Sequence, residues 1–190
     1  MDTADSLADE LRAIARLDTH DPAELAAGLG LRLSRRVGAG CQGQLDDVLR
    51  VSMRGAPEAV SWRCAHELGH LALDVAGVAR PHDEQLVNAV AAAIICPRRE
   101  FRRAFYEHPF RLPALARVFR TTETIVALRA GEVFDLQLAV VWSGRVVRRG
   151  EIGVDDGTLR RWARHGGEDV ARVVPLTDAR RFVVAPRDAL

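Results

Sequence analysis

The chain has no lysine: all 27 of its basic residues are arginine, which we read as base composition rather than chemistry. It is also short of cysteine. Three cysteines (Cys41, Cys64, Cys96) are too few and too scattered for a disulfide framework, and no pair has zinc-finger spacing. Cys64 and Cys96 lie in apolar runs and are expected to pack as small hydrophobes. No apolar run reaches membrane-spanning length; the longest candidate, VNAVAAAIIC, is too short. The first residues, MDTADSLADELR, are acidic and amphipathic and do not read as a signal peptide, so a cytoplasmic protein is expected. There is no internal repeat and no low-complexity segment. Nor is there a large net charge: the balance is +1, which gives no global drive toward nucleic acid or an anionic membrane.

What is present is enough apolar material for a core, 48% of 190 residues, which fits one domain or one domain with an appendage. Charge is uneven within it. Residues 98–130 hold eight arginines against three acidic residues, the pattern of a solvated face or, less favoured, of a docking surface for an acidic or nucleic-acid partner.

The organising stretch is VSWRCAHELGHLALDVA, residues 60–76. His66-Glu67-Leu68-Gly69-His70 is HExxH, and on a helix the two histidines stand one turn apart on one face. Two imidazoles so placed can grip one Zn²⁺, with Glu67 beside them to take a proton from water. Leu68, Leu71, Ala72 and Val75 supply an apolar face at helical spacing. Gly69, between the two histidines, costs helix stability and lets another backbone come close.

A catalytic zinc needs a third protein ligand. Asp74 is ruled out, because eight helical residues rise about 12 Å from His66. The longer pattern HExxHxxGxxH also fails, since Leu73 and Ala76 occupy its last two defined positions. Glu84, opening a second helical run from Asp83 to Pro97, is the better candidate; His82, in a turn after Pro81, competes with it. Asn88, one turn beyond Glu84, is placed to hold a ligand in position.

HELGH, then Glu84-x-x-x-Asn88, then AAAIICP resembles the ImmA/IrrE family of zinc metallopeptidase-like proteins. The resemblance covers about residues 20–130 and is strongest over 61–97. It implies His66, His70 and Glu84 as zinc ligands and Glu67 as catalytic base. It implies a cytoplasmic transcriptional repressor as protein substrate, cleaved in response to stress or a mobile element. The chain departs from the family pattern at Val87, Cys96 and Arg63, none of them a proposed ligand.

The expected architecture is α+β: a mostly helical zincin-like domain over residues 1–130 and a small β-rich appendage over 131–190. A helix is expected over 3–17 with Leu7, Leu11, Ile14 and Leu17 on one face. Asp21-Pro22 starts a short helix that Gly28 and Gly30 end. LRLSRRV and Gln44–Met53 read as two strands of a hairpin around a glycine-rich turn, and an edge strand there could take extended substrate by strand addition. Tyr106 and His108 are candidates for stabilising an oxyanion, against the plainer reading of a surface tyrosine and a loop histidine. Residues 113–130 suggest two helices broken near Thr121-Thr122, like a helix-turn-helix, with Arg117, Arg120 and Arg129 able to reach phosphates. Beyond Phe134, a hairpin around Ser143-Gly144, a helix from Thr158 stopped by Gly166-Gly167, and two further strands are expected. The competing functional reading is a DNA- or partner-binding regulator, or a toxin–antitoxin component, with a structural or vestigial metal site.

Overall fold

The computed structural model describes residues 3–36, 43–45, 47–52, 54–78, 83–134, 136–142, 145–149, 155–165, 172–175 and 181–186. His82, Cys41, the glycines at 38 and 40, Met53, and the turn and stop signals at Ser143-Gly144 and Gly166-Gly167 lie outside the described residues. The fold is α+β. The chain divides into two compact units, residues 1–103 with 117–122, and residues 104–116 with 123–190.

In the first unit, α1 (Thr3–Ala15) buries Ala4, Leu7, Ala8, Leu11 and Ala15. The expected apolar face is therefore corrected at its far end. Ile14 and Leu17 are 51% and 39% exposed, and the small alanines turn the helix so that Asp5 and Arg12 go inside instead. Both charges are satisfied. Arg98 Nε donates to Asp5 Oδ2 at 2.7 Å. Arg12 donates through Nη2 to the carbonyls of Ala93 and Ile94, both at 2.9 Å, and through Nε to the carbonyl of Thr19 at 3.1 Å. The carbonyls of Ala93 and Ile94 stand in the last turn of α4 (Glu84–Ile95), where no further helical N–H can reach them, so a helix-end cation is their natural partner.

Asp21 caps α2 (Pro22–Gly28), accepting from Ala23 N at 2.8 Å with Pro22 at the first helical position. Gly30 follows with φ +75°, the left-handed turn that glycine makes without strain. The chain then enters β1 (Arg32–Arg36), β2 (Gly43–Leu45) and β3 (Val48–Ser52), a sheet in the order β1-β3-β2. The hairpin expectation is corrected here. The second run is two strands, β2 and β3, joined antiparallel, and β1 pairs with β3 in parallel, Leu33 opposite Leu49. A direct β1 hairpin would make that pair antiparallel, so the described ladder is a crossover. Leu49 and Val51 point into the core.

From the sheet the chain passes into α3 (Pro57–Val75). Cys64, Ala65, Leu68, Ala72 and Leu73 are buried, whereas Val75, expected inside, is 52% exposed at the end of the helix. Cys64 and Cys96 are buried in the core, as their apolar surroundings predicted. Arg63 reaches back to the end of β3, donating to the carbonyls of Ser52 at 3.0 Å and of Arg54, which ties the sheet to the helix.

Next come α5 (Arg98–Glu107), α6 (Leu112–Val118) and α7 (Glu123–Phe134), so the break at Thr121-Thr122 is where the sequence predicted it. Arg129 does not reach a phosphate. It is fully buried and donates to Glu132 at 3.0 Å, one turn along α7, while Arg117 and Arg120 are exposed.

The second unit ends in an antiparallel sheet, β4 (Leu136–Trp142), β5 (Arg145–Arg149), β6 (Arg172–Pro175) and β7 (Arg181–Pro186), in the order β5-β4-β7-β6. A register shift at Val140/Val141 interrupts the β4–β5 ladder. Between β5 and β6 runs α8 (Asp156–His165), capped by Asp155, whose Oδ1 accepts from Gly157 N and Thr158 N at 2.7 and 3.1 Å. Leu159 and Trp162 of α8 pack with Ala139, Val141 and Val183 of the sheet. No helix among the described residues is long and apolar enough to cross a membrane.

Replacing Arg12 by alanine removes the donors to Ala93 and Ile94 and leaves two carbonyls unpaired in the core. The expected loss is about 2–3 kcal/mol of folding stability, read by urea denaturation of wild type and variant. A loss below about 0.5 kcal/mol would mean that water takes over the two carbonyls.

Candidate metal centre

Three side chains that the sequence singled out from two separate helical runs meet in the first unit. His66 and His70 project from one face of α3 with ring centroids 4.9 Å apart and planes at 83°. Glu84 is the first residue of α4. Asp83 caps that helix, accepting from Gln85 N and Leu86 N at 3.1 and 3.2 Å, and so sets where the carboxylate emerges. Glu84 Oε2 lies 3.5 Å from His66 Nε2 and Oε1 lies 3.7 Å from His70 Nε2. One donor atom from each residue lies within 4.8 Å of the others. The imidazoles are largely covered and the carboxylate is exposed, so the cluster is open on the Glu84 side.

The donor set suits a divalent ion. A tetrahedral zinc with bonds of about 2.1 Å separates its ligands by about 3.4 Å, close to the distances found here. The tautomer is suitable as well. His66 Nδ1 lies 3.1 Å from Asn88 Oδ1, and an amide oxygen only accepts, so Nδ1 carries the proton. Nε2, which faces Glu84, then keeps its lone pair.

Glu67, between the two histidines in sequence, is 7% exposed. Burial pushes its carboxyl above the usual carboxylate range, and His66 and His70 work against that shift. A carboxylate raised in this way is a stronger proton acceptor than a solvated one.

What brings Glu84 and Asn88 to α3 is the close approach expected at Gly69. A Cβ on Gly69 would stand 2.8 Å from the carbonyl oxygen of Val87 and 3.2 Å from its Cγ1. Val87 sits between Glu84 and Asn88 on the same stretch of α4. The contact therefore sets the depth at which both reach the histidines.

Asp74 is exposed in the last turn of α3. Tyr106 and His108 belong to the second unit. Tyr106 is 67% exposed with its ring edge-on to Phe134, and His108 lies just past α5. Sequence reasoning missed the part of Arg63, noted only as a departure from the family pattern. Its position in α3, within reach of the chain that closes β3, was the available signal.

Residues 19–130 match the IrrE N-terminal-like domain of the peptidase M78 family. In structure the chain is similar to a transcriptional regulator from Mycobacterium tuberculosis, with a TM-score of 0.64 at 17% identity, over 96% of this chain and 68% of that one. At that identity the likeness speaks for the fold alone. No curated protein matches the chain in sequence.

Gly69→Ala is expected to destabilise the fold by about 1–3 kcal/mol, because backbone rather than a flexible side-chain tip must give way. Thermal unfolding checks it. An unchanged midpoint would show that α3 and α4 separate freely at this point.

Proposed function

The chain belongs to the IrrE N-terminal-like family of peptidase M78, and from that premise we propose that it is a zinc-dependent endopeptidase. His66, His70 and Glu84 are its metal ligands and Glu67 its catalytic base. The observation that carries this reading is the convergence of two imidazoles and a carboxylate from two helices beside a buried glutamate. When bound, zinc supplies a Lewis acid that brings the pKa of water toward about 7 and shares the charge of the oxyanion.

The other work falls to the chain's own side chains. Asn88 holds the Nδ1 proton of His66 and so keeps Nε2 free as a ligand. Gly69 keeps α4 close enough for Glu84 to complete the set. Glu67 accepts the proton of the attacking water and delivers it to the leaving amine, so the carboxylate is regenerated each turn. Its burial keeps bulk water from competing for that proton.

The proposed substrate is a transcriptional repressor in the cytoplasm, cleaved during a stress or mobile-element response. This follows from the family resemblance, and the exposed side of the Glu84 carboxylate gives a peptide a way in.

Two variants separate holding the metal from using it. Glu84→Ala is expected to lose zinc on purification, measured by elemental analysis against wild type. Glu67→Gln is expected to keep zinc at the wild-type ratio and to lose about 10²–10⁴-fold in cleavage of a co-expressed repressor encoded beside it. Cleavage at the wild-type rate by Glu67→Gln would remove Glu67 as the base. Full zinc retention by Glu84→Ala would remove the third ligand.

A further inference from the structure

A cavity of about 470 Å³ lies wholly within the first unit, behind the helix that bears the histidines. That volume is in the range of small-molecule sites, about 300–1,000 Å³. α3 contributes Pro57, Val60, Ser61 and Cys64 to its wall, spaced i, i+3, i+4 and i+7, which is one continuous helix face. Each helical residue turns by about 100°, so Cys64 and His66 point about 200° apart. The cavity and the metal ligands thus occupy opposite sides of the same helix.

Apolar side chains form the larger part of the interior. Leu33 of β1 and Val51 of β3 face it from the sheet, and Phe119 from the segment after α6. Phe119 is held in place by the rings of Phe101 and His20, at 5.6 and 6.2 Å.

The border carries both signs of charge. Glu58, in the first turn of α3, and Arg120 both line the cavity. They are not paired with each other, and neither side chain has a hydrogen bond or ion pair among the described residues. Asp21, on the same border, already accepts from Ala23 N and Glu24 N as the cap of α2. Arg120 holds φ at +48° in the left-handed turn that closes α6, which fixes where its side chain leaves the backbone.

We infer that this cavity is a second binding site, for a small zwitterion with an apolar body: a free amino acid or dipeptide carrying a branched or aromatic side chain. The ammonium is taken by Glu58, the carboxylate by Arg120, and the side chain enters between Leu33, Val51, Val60 and Phe119. An apolar molecule without charges would fill the interior and leave both border charges without partners. A simple organic acid would satisfy Arg120 and leave Glu58 without a partner. The inference stands apart from the peptidase reading, since no metal ligand lines the cavity.

The test is calorimetric titration of the full chain, with and without zinc, using leucine, phenylalanine and leucyl-leucine as probes. Each is compared with its N-acetyl form, which lacks the ammonium, and its amide, which lacks the carboxylate. Saturable binding is expected for at least one probe, weaker by about tenfold or more in either blocked form, as loss of a charged hydrogen bond implies. Zinc should leave the affinity unchanged. Val60→Phe, which fills the cavity, should abolish binding. Arg120→Gln, at an exposed position, should weaken it about tenfold even where the cavity-filling variant fails to fold. No saturable binding by any of the three probes, equal binding of the blocked forms, or an unchanged affinity in Arg120→Gln overturns the proposal.

Discussion

The contact on which the rest depends is that between the backbone of Val87 and the missing side chain of Gly69. A single Cβ there would stand 2.8 Å from the Val87 carbonyl, inside van der Waals contact. With none, α4 lies directly on the histidine-bearing face of α3. Glu84, Val87 and Asn88 occupy positions i, i+3 and i+4, so one helix face delivers a carboxylate, the contact itself and an amide. Spacing within a helix is guaranteed by its pitch. Spacing between two helices has no such guarantee, and here the packing distance supplies it.

The geometry is held from behind by charges placed at the ends of elements. Arg12 reaches from α1 to the last carbonyls of α4, and Asp5 takes Arg98 just beyond that end. Asp83 holds the opposite end of α4 through its first-turn N–H groups. Arg63 joins α3 to the end of β3. In each case a charged side chain pairs with backbone groups that helix or strand termination leaves bare, or with an opposite charge in the same place. The helices that bear the cluster are therefore held at their ends, while their facing surfaces are apolar apart from the cluster itself.

Much of this was legible in the chain. HExxH places two imidazoles on one face by pitch alone, and the run from Asp83 to Pro97 read as a second helix. The alternation of Leu and Arg in LRLSRRV and the apolar pattern of RRFVVAP marked strands. Legibility failed where a choice between faces or partners was needed. Ile14 is as apolar as Leu11, yet the helix buries Ala15 and Arg12 because alanine lets α1 approach α4 closely and the α4 carbonyls need a donor. Arg129 resembles Arg117 in sequence, but it lies on the inner side of α7, where Glu132 neutralises it. Two short apolar runs joined by glycines suggested a hairpin, whereas β1 found its partner in β3 and runs parallel to it.

The sequence by itself determined the local elements, the pair of histidines with their glutamate, and the glycine between them. These follow from turn chemistry and from two fixed periods, 3.6 for helices and 2 for strands. Only the tertiary structure decided that Glu84 comes within 4 Å of both imidazoles, that Asn88 Oδ1 accepts from His66 Nδ1, and that Glu67 is buried. The physical reason is that period and propensity act over a few residues. The 13 residues between His70 and Glu84 are bridged by packing between helices, which depends on the shape and charge of every surface that meets there.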